Sequence, residues 1–305
     1  SRWVIEYLRL PSLRRIQPAG LQQKIAHGDG VVHRLVMRRI HQRHHAVARA
    51  PEPFVGTAER RFREARRRLE EEARKRRPMA PPARRAGKSE LVGFYVNWDD
   101  TSYTSLKQNI GRIDRLVPEW LHLGADAGAL VVDDPPRLRL ALDLVREVRP
   151  GLPITPLVNN FESSTVTWQG GRLGRMLADP AARARVIEGL LRYVRGGRFQ
   201  GVSLDFEALP AGSGPRYGQF LEEVAAAFHP HGLTVSVSMP MDDDTFPYAA
   251  AARACDELYL MAYDEHSGEG EAGPVSSIGW FSRTLKRRLA TLPAEKVVVA
   301  LGSYG

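Results

Sequence analysis

The chain has 305 residues, 43% of them hydrophobic and 26% charged, which excludes disorder throughout and supplies apolar material for one large domain or two modest ones. Its formal net charge of +9 is unevenly placed: residues 1–90 hold 23 Lys+Arg against 9 Asp+Glu, and residues 91–305 hold 21 against 26. A mildly acidic remainder has no electrostatic reason to seek phosphate backbones, so nucleic acid is not an expected partner of that part, and any such affinity belongs to residues 1–90.

A single cysteine, Cys255, cannot form an internal disulfide and is one ligand where a structural zinc wants about four. No apolar run reaches the roughly 18 residues of a spanning helix, and the start lacks the pattern of a signal peptide. In residues 1–50, "RRIHQRHH" brings His41, His44 and His45 together, a metal site or a solvated basic surface. Residues 59–77, "ERRFREARRRLEEEARKRR", read as a charged helix whose thin apolar stripe is Phe62, Ala65, Leu69 and Ala73. It serves as a spacer or as an arm for phosphates or anionic lipid. The proline-rich "RRPMAPPARRAGKSE" then reads as a linker, so residues 1–90 form a basic segment and 91–305 the folded domain.

Beyond Glu90, short β-rich runs alternate with amphipathic stretches, the pattern of βα units. Strands are predicted at 91–98, 118–124, 153–160, 199–207, 233–240, 257–264 and 296–305. Leu106, Ile110 and Ile113 share one helix face, and Leu138, Leu142, Val145 and Val148 another. Asp179 and Pro180 make an N-cap and first-turn pair before Val186, Ile187, Leu190 and Val194, and Gly196 and Gly197 end that helix. Tyr217, Phe220, Leu221, Val224 and Phe228 form a further stripe, as do Trp280, Phe281, Leu285 and Leu289. No Gly-rich phosphate turn follows the first strand, so an eightfold β/α (TIM) barrel lacking its last unit is expected over an open doubly wound sheet. The chain opens on Ser1 and stops just after "KVVVALGSYG". It therefore reads as a fragment, with the eighth unit expected in the full-length protein to cover two otherwise unpaired edges.

The fourth predicted strand carries the chemistry. Along "FQGVSLDFE" Gly201, Ser203, Asp205 and Glu207 point one way and Val202, Leu204 and Phe206 the other. In a barrel the oily set meets the helices and the carboxylates reach the C-terminal mouth. Two acids roughly 6 to 7 Å apart at the backbone disfavour each other's ionisation, so one is pushed toward holding a proton. Glu207, with the longer reach, suits a general acid, and Asp205 an orienting role. Two solvated acids at a strand end are the alternative.

At these residues the sequence resembles glycoside hydrolase family 18, the chitinase-like barrel enzymes, whose fourth strand carries a DGxxDxDxE-type signature. The resemblance implies that Glu207 is the catalytic acid and that Asp205 positions the substrate's 2-acetamido group. Ser203 and Gln200 stand where the fullest form of the motif has aspartates, and Ser203 removes an inner partner that shares a proton with the middle aspartate. "LMAYD" is similar to the family's Met-x-Tyr-Asp motif and implies that Tyr263 and Asp264 lie beside the acetamido group. "GFYVNW" and "ALGSYG" resemble the family's first and seventh strands, so the likeness spans about residues 91–305. The eighth strand, which brings a tryptophan to the sugar site, has no counterpart here.

The implied activity is substrate-assisted, retaining hydrolysis of β-linked N-acetylglucosamine polysaccharide, without metal or cofactor. A non-catalytic carbohydrate-binding barrel is the alternative, and a nucleic-acid or membrane-surface binder acting through residues 1–90 a third reading. "GFYVNWDDTSYTSLKQNI" followed by "VPEWLHL" further resembles the glycosidase-like part of bacterial membrane proteins fused to a polysaccharide deacetylase and a family 2 glycosyltransferase. That likeness implies an exopolysaccharide setting at the cell envelope, with membrane association through segments outside this chain. Trp98, Asn159, Asn160, Trp168, Asp242 and Tyr304 are candidates to line sugar subsites. The acidic run Asp242 to Asp244 reads as a metal site or as an N-cap for the next helix. Met239, Met241 and Met261 read as core filler.

Overall fold

A computed structural model of the chain describes residues 6–8, 90–126, 128–133, 135–266 and 271–301. The histidine cluster, the charged run 59–77, the linker and Tyr304 lie outside these residues. In chain order the elements are β1 (Glu6–Leu8), β2 (Leu91–Val96), α1 (Asp100–Asn109), β3 (Arg115–Leu123), β4 (Leu130–Val132), α2 (Pro135–Val148), β5 (Leu157–Asn159), β6 (Phe161–Glu162), β7 (Thr167–Trp168), α3 (Gly170–Ala178) and α4 (Pro180–Gly197). They continue with β8 (Gly201–Asp205), α5 (Gly214–Phe228), β9 (Thr234–Pro240), α6 (Tyr248–Ala254), β10 (Glu257–Met261), α7 (Ile278–Leu289) and β11 (Val297–Leu301).

Seven strands pair in parallel, in the order β2, β3, β5, β8, β9, β10, β11. Each overlaps one of the seven runs expected from the sequence, and the helices between them make the curled sheet of a β/α barrel. The edges of β2 and β11 are not left open. β1 lies antiparallel between them, with Tyr7 opposite both Val92 and Ala300, so hydrogen bonding runs all the way round the sheet. Two small antiparallel pairs sit outside this ring: β4 on the edge of β3, and the hairpin β6–β7.

The helices form where the sequence caps them. Asp179 accepts the Ala181 amide at 2.9 Å and Pro180 supplies the preset first turn of α4. That helix runs through Gly197 and stops at Arg198, which takes a left-handed conformation (φ 56°). Tyr217, Phe220, Leu221, Val224 and Phe228 on α5 are all fully buried, worth about 1.5 to 3 kcal/mol for each large side chain removed from water. One expectation needs correction: α1 ends at Asn109, so Ile110 and Ile113 reach the core from the turn that follows and not from the helix face.

Strand alternation divides the apolar residues into two layers. Val202, Leu204 and Phe206, like Val235, Val237 and Met239, join the large core between sheet and helices. Val92, Val117, Leu157, Tyr259, Val298 and Ala300 fill the inside of the sheet, with Phe94 and Tyr263 packed on them. Ser203, Ser236 and Ser238 are buried and fall in the alternate positions of β8 and β9, where only small side chains leave room for the acids above them.

Candidate active site

β8 ends at Asp205 and the chain turns outward through buried Phe206 to Glu207. Asn160, just past β5, holds that turn: its Oδ1 accepts the Glu207 amide and its Nδ2 donates to the Glu207 carbonyl, both at 2.9 Å. Ala208 then adopts φ 52°, a left-handed conformation costly for a residue with a Cβ. Gly170 backs this turn, and a Cβ there would stand 2.2 Å from the Ala208 carbonyl oxygen. A parallel arrangement follows β10, where Tyr263 precedes Asp264, at φ 65°. Both strands thus deliver their polar residues on backbone held in sparsely populated conformations.

Glu207, Tyr263 and Asp264 line one cleft of about 350 Å³, together with Met241, Met261 and Trp280. The Trp280 indole N–H donates to Asp242 at 2.8 Å, fixing the ring at the cleft wall. Asp205, two residues before Glu207, is not among the residues that line the cleft. It is partly buried, and its Oδ1 is buried with no hydrogen-bond partner. Burial holds the Asp205 carboxyl well above the usual aspartate range, and the neighbouring carboxylates of Glu207 and Glu119 add to the effect, with Ser238 opposing it. The arrangement is therefore one acid lining a hollow, Glu207, with a second, buried acid two residues before it whose protonated form is favoured. Such a pair can donate a proton to a bound group and take one back.

Over residues 90–305 the chain matches the model of the family described as glycosyl hydrolases family 18. The chain belongs to glycoside hydrolase family 18. Among curated relatives, it is 23% identical to the uncharacterized glycosylase YvbX of Bacillus subtilis over 72% of this chain and 65% of that protein. It is 26% identical to the putative sporulation-specific glycosylase YdhD of the same organism, over 52% of this chain and 38% of that protein. The chain thus spans less than two thirds of the length of either. Similar solved structures include a chitinase from Chromobacterium violaceum, at TM-score 0.61 and 22% identity over 68% of this chain and 67% of that one. A family 18 chitinase from Cycas revoluta in complex with allosamidin is similar at TM-score 0.58 and 20% identity, over the same shares. At these identities the structural likeness concerns the fold.

Of the residues singled out in this family 18 chain, Glu207, Tyr263 and Asp264 share the cleft, whereas Asp205 interacts electrostatically with Glu207 and does not line it. The Asp205 carboxyl is pushed up, in line with the expectation that one of the two acids is driven toward holding a proton. Ser203 is fully buried with an unpaired hydroxyl, and Asn159, also buried, is committed to His122, Glu119 and the Phe161 amide. Trp98 is 45% exposed and gives its indole N–H to Glu119. Trp168 packs edge-on against Phe161 in the β6–β7 hairpin. Asp242 is held by Trp280 and Arg287, Asp244 by Arg288, and Asp243 closes a turn on the Thr245 amide. The N-cap of α6 is Pro247, so the acidic run does not cap that helix. Among the described residues no cluster of three or more His, Cys, Asp or Glu could hold a metal ion, and no helix is long and apolar enough to cross a membrane. Met239 is core, as expected, whereas Met241 and Met261 also line the cleft. Sequence reasoning missed Trp280 as a cleft residue, Asn160 as the clamp on Glu207, and Glu119 and His122 of β3.

Proposed function

We propose that this family 18 domain hydrolyses β-linked N-acetylglucosamine-containing polysaccharide with retention of configuration. The observation that carries the reading is the convergence of Glu207, Tyr263 and Asp264 on one cleft, next to the buried Asp205 carboxyl, which is held well above the usual aspartate range. Glu207 protonates the glycosidic oxygen while the sugar's own acetamido oxygen attacks the anomeric carbon, and an oxazolinium ion forms. Asp205 and Tyr263 hold the acetamido group in attacking geometry and offset the developing positive charge. Glu207 then accepts a proton from the water that opens the ring. Asp205 and Glu207 act as a coupled pair, so their protonation belongs to both.

The apolar wall of Met241, Met261 and Trp280 supplies the face on which a pyranose ring packs, and Trp280 offers an aromatic platform. The names of the relatives, glycosylases and chitinases, support the substrate class. A place beside a deacetylase or glycosyltransferase at the cell envelope accords with the likeness of the strand-one region and remains part of this proposal.

The test is Glu207→Gln measured with N-acetylglucosamine oligomers and with polymeric substrate. Turnover is expected to fall by about 10² to 10⁴-fold, with oligosaccharide affinity and melting temperature kept. A mutant that retains the full hydrolytic rate would falsify the assignment. A wild-type protein that binds the oligomers and turns none over would identify a binding barrel instead.

A further inference from the structure

Beside the cleft lies a second group of titratable side chains, brought together by an irregularity in β3. The pairing of β3 with β5 shifts between Glu119 and Leu121, which leaves one extra residue on β3. Trp120 and Leu121 consequently both enter the outer core, while Val117 belongs to the interior. Glu119 and His122, three positions apart, thereby meet on one inner face. Their meeting point is Asn159, whose Cα is in register with His122 on one side and with Asp205 on the other.

The hydrogen bonds fix the chemistry of this group. The Phe161 amide donates to Asn159 Oδ1 at 3.1 Å, which sets the orientation of the Asn159 side-chain amide. Oδ1 therefore accepts from His122 Nδ1 at 2.7 Å, and Nδ2 donates to Glu119 Oε1 at 3.1 Å. His122 Nε2 meets Asp133 at 2.9 Å. With both ring nitrogens donating, His122 is an imidazolium. Burial works against that charge, but the hydrogen bonds to Asp133 and Asn159 and the nearby Glu119 outweigh it and raise the His122 pKa. Burial pushes the Glu119 carboxyl up, while His122, Trp98 and Asn159 pull it down.

Asp205 is thus within electrostatic reach of Glu207, just past the end of its strand, of Glu119 on β3 and of Tyr217 on α5. The interior position below it on β8 is neutral Ser203, whose buried hydroxyl has no partner. Two carboxyls held close in a medium of low dielectric do not both ionise. We propose that Glu119 is a positioning acid for Asp205: the two share one proton inside the barrel, and the His122–Asp133 ion pair sets on which of them it resides. For catalysis this rests on the reading of Asp205 and Glu207 given above; the coupling itself does not.

The experiment uses the whole chain with carbon-13-labelled aspartate and glutamate, and follows the side-chain carboxyls by NMR through a pH titration. In Glu119→Gln, which keeps an acceptor for Asn159 and Trp98, the Asp205 midpoint is expected to fall by about 1 pH unit or more. An unmoved Asp205 midpoint overturns the proposal, whatever the activity. On a chitooligosaccharide the alkaline limb of kcat/KM shifts to lower pH in the same variant, and adding Ser203→Asp, which restores an inner carboxyl, returns it toward the wild-type position. A uniform loss of rate with no shift and no rescue marks a merely structural role and also overturns the proposal. Should Glu119→Gln not fold, the wild-type titration decides: two-step, interdependent curves for Glu119 and Asp205 support the sharing, and independent single-step curves in the ordinary carboxylate range sink it. A moved midpoint in a protein without hydrolytic activity would leave the coupling standing and defeat the glycosidase reading alone.

Discussion

Asn160 grips Glu207 by its backbone, accepting the amide proton with Oδ1 and donating to the carbonyl with Nδ2, each at 2.9 Å. The residue proposed to move protons is therefore held through its backbone by the Asn160 side chain. Asn160→Ala removes both bonds and leaves a buried amide and carbonyl without partners, at about 1 to 3 kcal/mol each. The expected outcome is a fall of roughly 10 to 100-fold in kcat with little change in KM, and a lower melting temperature. Steady-state kinetics on an N-acetylglucosamine oligomer, paired with thermal melts, checks both parts.

Gly170 buttresses the same turn from the other side. Its missing Cβ is the space in which the Ala208 carbonyl sits. Gly170→Ala is expected to push the Glu207–Ala208 turn into the cleft, reducing kcat by about tenfold or more and stability by about 1 to 3 kcal/mol. Wild-type kinetics in this variant would show that the turn yields freely.

Asp205 links acidity to stability. Its folded-state pKa lies above the unfolded value near 3.8, so the folded form holds the proton more tightly. The stabilisation is fully present below that pH and is lost as pH rises through the folded value. Asp205→Asn removes the ionisable group, and with it the loss of stability as pH rises above the unfolded value. The variant is expected to lose hydrolysis yet to melt a few degrees above wild type at pH 7, at about 2 to 4 °C per kcal/mol. That advantage should close toward pH 3.8 and below; calorimetry at several pH values reads it, and a variant no more stable than wild type at pH 7 contradicts the assignment.

β1 is the strand that joins the edges of β2 and β11. Tyr7→Pro deletes one backbone donor from this ladder and is expected to cost about 1 to 2 kcal/mol, with concentration-dependent association through the uncovered edges. Thermal melts and size-exclusion chromatography test it.

The repeat of strands and helices was legible because burial forces a period of two on each strand and 3.6 on each helix. The acids at the end of β8 were legible for the same reason, since in the sequence Asp205 and Glu207 alternate with Leu204 and Phe206, although the strand itself stops at Asp205. Glu119 and His122 were hidden by that very rule. A regular strand puts residues three apart on opposite faces, and only the extra residue at Trp120–Leu121 turns both inward. Asn160 was legible only as a polar residue at a strand end, because its task is a bond to the backbone of a residue 47 positions away. Trp280 reads as one more apolar position on a helix stripe; its place at the first turn of α7, where the helix meets the cleft, comes from the packing of the Ser277 cap against Glu265.

The ring closes through β1, whose Glu6 stands opposite both Gly93 and Leu301. The first and last strands described are thus immediate neighbours, and the seam between them is set only after β11 has left the ribosome. Until that moment a nascent chain carries β1 without its second partner, so sealing is a late step in synthesis that joins residues almost 300 positions apart.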